Sequence, residues 1–461
     1  MTIAGCSSLD PQEDILSARD QVAARTGVIA NWSSATTDQT LPLVPLDLHG
    51  AIQQALEVQP DIRVQLAKVA RARADLVQAE RLPNPKIVFG IGTPIDGGGG
   101  NPARVGILEP LTALWSRPKR IAEADAKLRT QILDLADLGL RTAEDAELAF
   151  VALHHATNRL NIDLAIVQCL NEHLALLQSL KQVGELDRLS VEKVRVELSH
   201  AMERTAASRS AHQAAKRTLD HLVGRINTLD TSPPIDASTL PNLLQPAPPD
   251  AALIELVALR RLDVAAALAR AEATGARLQV VRRERFGAFG LAIGFERNLS
   301  DREALTIGGE VPIPIFDLGG AKVAAADANR EEAIQLAKSV LWKALLEVRI
   351  AREEWIGERE QLSIVTHQQL SASETRLRLV SEAAAAGESS RSEVLLAQVE
   401  AITAKRAQNE AELKVRQAWA HLRRSAGGSF APVTQSERSR LLPQPAENVA
   451  EISQYPDGGS R

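Results

Sequence analysis

Phe289-Gly290-Leu291-Ala292-Ile293-Gly294-Phe295-Glu296 sets large apolar side chains against Gly, Ala and Glu at every second position. That period is the mark of a β-strand with two unlike faces. In Lys86-Ile87-Val88-Phe89-Gly90-Ile91-Gly92 the apolar set is Ile87, Phe89 and Ile91, with Lys86, Gly90 and Gly92 among the alternate positions. Val105 and Ile107 continue the pattern over 104–108, and Leu305 and Ile307 over 305–311. Polar links at 93–103, with its Gly97–Gly100 run, and at 297–303 join the four segments into two hairpins, 84–111 and 286–315. A soluble hairpin packed against helices is one reading of this pattern. A membrane strand is the other, and Gly and charge opposite the apolar face suit a wet lumen better than a buried core. Four strands cannot close a barrel, and an open edge cannot sit in lipid. Membrane barrels take about eight strands or more, so spanning strands here would have to be pooled from several copies.

Around the hairpins the chain repeats itself. Pro60-Asp61-Ile62 answers Leu262-Asp263-Val264, Pro110-Leu111 answers Pro312-Ile313, and 121–126 answers 323–328, all at one offset. Val183-Gly184-Glu185 then pairs with Ala386-Gly387-Glu388 one residue later. The unit is about 200 residues long, and it occurs twice. Each copy opens with helical sequence (46–80 and 250–285), passes through its hairpin, and enters a long helix from about Arg117 to Val183 or from Gly319 to Ala386. At about 1.5 Å per residue each long helix spans about 100 Å, far beyond a globular helix. Gly184 and Gly387 mark the turns, and return helices follow over 187–223 and 390–425. Apolar residues such as Ile121, Leu128, Ile132 and Leu135 recur at three- and four-residue spacing, which suits coiled-coil-like packing.

Composition narrows the function. The 461 residues carry a net charge of -5 with no basic run, so no footprint for nucleic acid is present. Two cysteines, Cys6 and Cys169, provide neither a disulfide framework nor a zinc site. No run of about 18 apolar residues offers a membrane helix, which leaves a membrane β-structure open. Walker, Gly-x-Ser-x-Gly and His-Glu-x-x-His motifs are missing, and His154-His155 point to different sides of a helix. The sequence is therefore read as a non-enzyme without a cofactor. Aromatic residues make up only 3% of the chain, so any membrane belt must be thin. Trp115 and Phe316, at corresponding places after the second and fourth strands, are its candidates, with burial in helix packing the alternative.

The chain resembles the outer-membrane-factor family, the TolC-like exit ducts of Gram-negative tripartite efflux pumps. The resemblance covers about 46–427. It rests on 46–56 through Pro60-Asp61-Ile62 as the opening helix, Leu82-Pro83-Asn84-Pro85 as the entry to the first strand, and 311–320 as the exit from the fourth, together with the two Gly-Glu tips. It implies a mainly α fold with a small membrane β-barrel: a tandem repeat of long helical hairpins and four strands per protomer. Three copies would form a homotrimeric 12-stranded β-barrel in outer-membrane lipid and an α-barrel in the periplasm. It further implies passive conduction, with an inner-membrane RND-type pump as the energy source and a periplasmic adaptor docked on the tips Val183, Gly184, Glu185, Ala386, Gly387 and Glu388. Glu393 falls on the first of two acidic gate positions of the family, whereas Leu396 occupies the second. Ile3-Ala4-Gly5-Cys6-Ser7-Ser8 resembles a lipobox, which makes Cys6 a lipidation candidate and implies a translation start upstream of Met1.

By the same resemblance 1–45 is a lipobox-like segment and extended arm, 46–224 and 250–427 are the repeats, 225–249 is an equatorial linker, and 428–461 is a disordered tail. The run 111–122, with Trp115-Ser116-Arg117-Pro118-Lys119-Arg120, is similar to the heavy-metal (CzcC-like) branch, which implies metal cations as cargo. A soluble or periplasmic coiled-coil scaffold, or an adaptor of such a pump, is the alternative. An adaptor should carry one long hairpin, and this chain repeats two.

Overall fold

A computed structural model describes residues 8–32, 46–93, 101–225, 235–236, 240, 249–285, 287, 289–297, 302–313 and 315–431. Cys6 and nearly all of the 428–461 segment lie outside these residues, as does most of 225–249. The first half contains α1 (Gln12–Thr26), β1 (Leu46–Asp47), α2 (Leu48–Val58), α3 (Pro60–Glu80), β2 (Lys86–Ile91), β3 (Ala103–Pro110), α4 (Leu111–Gln182) and α5 (Arg188–Leu222). The second contains β4 (Ile235–Asp236), α6 (Asp250–Arg260), α7 (Leu262–Glu284), β5 (Gly290–Arg297), β6 (Glu303–Glu310), α8 (Gly320–Ile364), a π-helical turn (Val365–Leu370), α9 (Ser371–Ala385) and α10 (Arg391–Ser425). Two helices, a hairpin, a long helix and a return helix thus occur twice in the same order. None of the described helices is long and apolar enough to cross a membrane.

The chain forms two compact units. One comprises Met1–Val22, Pro60–Gly139 and Leu262–Lys343; the other comprises Ala23–Gln59, Leu140–Arg261 and Ala344–Arg461. In the first, part of the segment expected to be an extended arm is the helix α1. Its Ile15, Ala18 and Val22 are buried, and Asp14 receives the Arg73 guanidinium from α3 in two bonds of 2.5 and 2.6 Å. A bidentate pair this shielded fixes the approach of the two helices. Arg129 meets Glu272 at 2.7 Å and Arg270 meets Asp134 at 2.6 Å, tying α4 to α7.

The long helix α4 begins at Leu111, six residues before the expected start, and takes Pro118 inside it. Proline lacks the N–H that would bond four residues back and costs about 3 kcal/mol within a helix. Arginines supply donors to the carbonyls on either side of that gap. Arg120 donates to the Ala113 carbonyl at 3.1 Å, and Arg283 of α7 donates to that of Trp115 at 2.8 Å. The sequence rule that a proline bounds a helix fails here: α4 continues through Pro118, with arginines bracing the carbonyls of Ala113 and Trp115 beside the gap.

In the second unit, α5 and α10 pack on the C-terminal part of α4. Ile166, Leu170 and Leu177 meet Val191, Val194 and Leu198 in one cluster, and Phe150 and Leu153 meet Leu46, Ala51 and Leu219 in another. Polar side chains fasten α4 to α10. His155 Nδ1 shares a 2.9 Å bond with Asn409 Oδ1, whose amide donates back to the His155 carbonyl at 3.0 Å. Glu144 holds His421 at 2.9 Å and Arg424 at 2.8 Å, and Glu147 pairs with Arg423. Burial pushes the His155 imidazole down to about 4 and keeps it neutral. The stability this contributes is present above the ordinary histidine value near 6.5 and falls away as pH drops toward about 4. Residues 428–431, grouped with the tail in the sequence reading, are tied down. Phe430 stacks on Trp419 at 4.9 Å, and Arg260 donates to the Ala431 carbonyl at 2.6 Å.

The second long helix was expected to run unbroken to Ala386, but residues 365–370 form a π turn. A π turn closes its hydrogen bond over one residue more than an α turn. It lies between 323–328, where the two repeats still share one offset, and 386–388, where the offset has grown by one. The turn absorbs that additional residue without rotating the helical tip below it. Deleting Gln368 should therefore leave an uninterrupted α-helix, with a thermal unfolding midpoint within a few degrees of the parent by circular dichroism. Deleting the corresponding Ile166, buried in the core of α4, should abolish folded protein. Equal damage from both deletions would contradict this reading.

Candidate functional site

Strands β2, β3, β5 and β6 form one antiparallel sheet in that order. The register gathers the alternating residues into rows. Ile87, Ile107, Ile293 and Ile307 lie directly across from one another, and Phe89, Val105, Phe295 and Leu305 form the next row. Ile91 and Leu291 extend the same face. All ten side chains are exposed, Phe89 and Ile91 at 78% each. A contiguous apolar surface of this kind is not left in water, since each such side chain gains about 1.5–3 kcal/mol on leaving it. Phe289, expected within the third strand, stands one residue before it: its N–H donates to Thr112 Oγ1 at 2.5 Å instead of to a neighbouring strand.

Charges bound this apolar face at both ends. Arg297 and Glu303 pair at 3.3 Å beside the second hairpin loop, and Glu109 stands at the end that joins the helices. The opposite face carries mostly small and charged residues in the same register, with Val88 and Leu108 among them. Gly106 faces Gly294, and Arg104 faces Glu296, with Lys86, Thr306 and Glu310 completing the polar set. A surface cavity of about 470 Å³ opens on this side, lined by Arg104, Glu296, Thr306 and Glu310 among others. Gly294 is required by close backbone approach, and Gly106 across from it has little room to spare. A Cβ on Gly294 would stand 2.5 Å from the Val105 carbonyl oxygen and 2.8 Å from Gly106 Cα. Beyond β2 and β6 the sheet has no further strand among the described residues, so its two edges are open.

The helical tips belong to the other unit. At both, the long helix ends in a glycine with positive φ, Gly184 at 78° and Gly387 at 80°. The next residue's N–H reaches back to the helix: Glu185 to the Leu180 carbonyl at 3.1 Å and Glu388 to that of Ala383 at 2.9 Å. Each is a Schellman stop. Three residues after each glycine a helix N-cap follows. Asp187 accepts from Ser190 N at 3.0 Å, and Ser390 accepts from Glu393 N at 3.2 Å. Val183 and Ala386 close the two long helices, and Val183 is exposed at 70%.

Glu393 is the returning half of a capping box. Its carboxylate accepts from Ser389 Oγ and from Ser390 N at 3.0 Å. Those bonds, the serine hydroxyl first, hold its pKa below the usual carboxylate range, so it remains an exposed anion. Sequence reasoning singled out Glu393 by position and missed the cap, although Ser390-x-x-Glu393 is the capping signature. Trp115 and Phe316 are exposed, at 70% and 100%, and Cys169 is buried. No cluster of described residues could hold a metal ion.

The glycine rows set up a paired test. Gly294→Val should prevent correct sheet formation, seen as loss of the β-sheet signal in circular dichroism. Gly308→Ala, where an added Cβ meets nothing within 4 Å, should fold as the parent does. An unchanged sheet signal in Gly294→Val would show that the backbones need not approach so closely.

Comparison with known proteins agrees with this architecture. Residues 253–428 match the family model for outer membrane efflux proteins. Curated proteins gave no match. Among solved structures, the outer-membrane channel OprN is 22% identical over 84% of this chain and 91% of its own, with a TM-score of 0.67. VceC from Vibrio cholerae is 17% identical over 83% and 96%, with a TM-score of 0.66. CmeC from Campylobacter jejuni is 16% identical over 90% and 94%, with a TM-score of 0.68. The second repeat thus resembles outer membrane efflux proteins, and the chain shares the fold of these outer-membrane channels along most of its length.

Proposed function

We propose that this protein is the exit duct of a tripartite, RND-type efflux system, conducting cargo passively from pump and adaptor to the cell exterior. The observation that carries the reading is the sheet: one face wholly apolar between its charged ends, the other polar and glycine-rich, and two open edges. Open edges in hydrocarbon leave backbone groups unpaired, at several kcal/mol for each group. Pairing β6 of one copy with β2 of the next removes every edge once the ring closes. Three copies give twelve strands, enough for a lumen, with the glycine-rich face turned inward to water.

The tips at 183–187 and 386–390 are rigid, exposed and alike in construction, which suits docking by a periplasmic adaptor. A ring of three Glu393 carboxylates, kept charged by their serine partners, would put fixed negative charge at the narrow end of the duct and favour cations there. Heavy-metal cations are accordingly the cargo class we assign. Cys6, with Ser7 behind it, would carry the lipid that fixes the amino terminus to the membrane.

Detergent-purified protein should run as a heat-sensitive trimer and form ion-conducting pores in planar bilayers. Neutralising Glu393→Gln should reduce the cation preference of those pores while leaving trimer and insertion intact. A soluble monomer that needs no detergent would refute the duct. Pores with unchanged selectivity in the Glu393→Gln protein would refute the gate assignment alone.

A further inference from the structure

Where the sheet meets the helices, the first unit carries a second surface. The segments 80–85, 111–120 and 282–285 hold seven Lys and Arg residues against only Glu80 and Glu284, in a chain whose net charge is -5. Hydrogen bonds bring the three segments together. Arg117 donates to the Glu80 carbonyl at 2.6 and 2.8 Å, and Arg283 to that of Trp115. On α4 the exposed residues Leu111, Leu114, Trp115 and Pro118 recur at three- and four-residue spacing, and Lys119 lies one turn beyond Trp115. Leu111 continues the alternation of Ile107 and Glu109, so this face follows on from the apolar face of the sheet. The Arg283 guanidinium lies 5.8 Å from the Trp115 ring centroid. Arg81, Lys119 and Arg282 make no ion pair among the described residues.

A strand face that is apolar up to Glu109, then a tryptophan, then unpaired cations one turn further, is the sequence of chemistries met on leaving a bilayer: acyl chains, interface, headgroups. Unpaired cations at that depth fit an anionic phosphate better than a zwitterionic surface. We propose that this collar binds anionic phospholipid headgroups in the leaflet facing the helices, with Trp115 at the interface and Arg81, Lys119 and Arg282 on the phosphates. The inference rests on the membrane reading above, which supplies the bilayer.

The test uses full-length protein reconstituted into vesicles of equimolar phosphatidylglycerol and phosphatidylcholine, extracted gently, with the retained lipid counted by mass spectrometry. Parent protein should retain phosphatidylglycerol several-fold over phosphatidylcholine. The triple variant Arg81→Gln, Lys119→Gln, Arg282→Gln should fall to parity, and Arg81→Lys with Arg282→Lys should keep the enrichment. Parity in the parent, or undiminished enrichment in the triple variant, overturns the collar while insertion into either vesicle leaves the duct standing. Failure to insert into any vesicle, including pure phosphatidylcholine, overturns the duct and the collar with it. A triple variant that loses its trimer yet keeps the enrichment makes the surface a protomer contact and also overturns the proposal.

Discussion

Two open strand edges on a sheet with one apolar face govern this molecule. Inside lipid there is no water to satisfy unpaired N–H and C=O groups, so the sheet is admissible only as part of a closed ring. The same condition reaches back into the sequence. The rows of isoleucine and of phenylalanine, valine and leucine have to fall in register, since a slip of one residue would send each apolar set to the opposite face. Gly294 then follows, because the backbones come too close there for a Cβ. The helices join this sheet at Pro110 and Glu310, where the chain turns from strand toward helix.

The helical unit is fastened by different means. Its apolar clusters are ordinary, but α4 and α10 are also joined by polar ties: His155 to Asn409 in the interior, and His173 to Ser392 and Glu144 to His421 and Arg424 nearer the surface. Such ties specify which helices become neighbours, a choice that long Ala- and Leu-rich helices would otherwise leave loose. Contact between the first repeat's long helix and the second repeat's return helix is thereby written in side chains far apart in sequence.

Periodicity made much of this legible. The two-residue alternation located all four strands to within a residue or two, missing only that Phe289 bonds to Thr112 outside β5. Glycine followed by glutamate located both tips. The reach of α4 was not legible: it begins at Leu111 and runs through Pro118, with Arg120 and Arg283 on the Ala113 and Trp115 carbonyls beside the gap. Nor was the π turn, although its cause was visible as an offset that grows by one between the repeats. The role of Glu393 in its capping box was readable from Ser390 and was passed over for a role suggested by position. Low aromatic content pointed to a thin membrane belt; Trp115 and Phe316 are exposed at the strand–helix junctions.

The central claim, that one face of the sheet meets lipid and the other water, is tested most directly by residue-by-residue accessibility. Single cysteines placed along β3 and β5 of reconstituted protein can be probed with a membrane-impermeant thiol reagent and with a lipid-dissolved quencher. The account predicts strict alternation, with 105, 107, 293 and 295 reached from lipid and 104, 106, 292, 294 and 296 reached from water in every variant that assembles. Uniform access from water along both strands would contradict it.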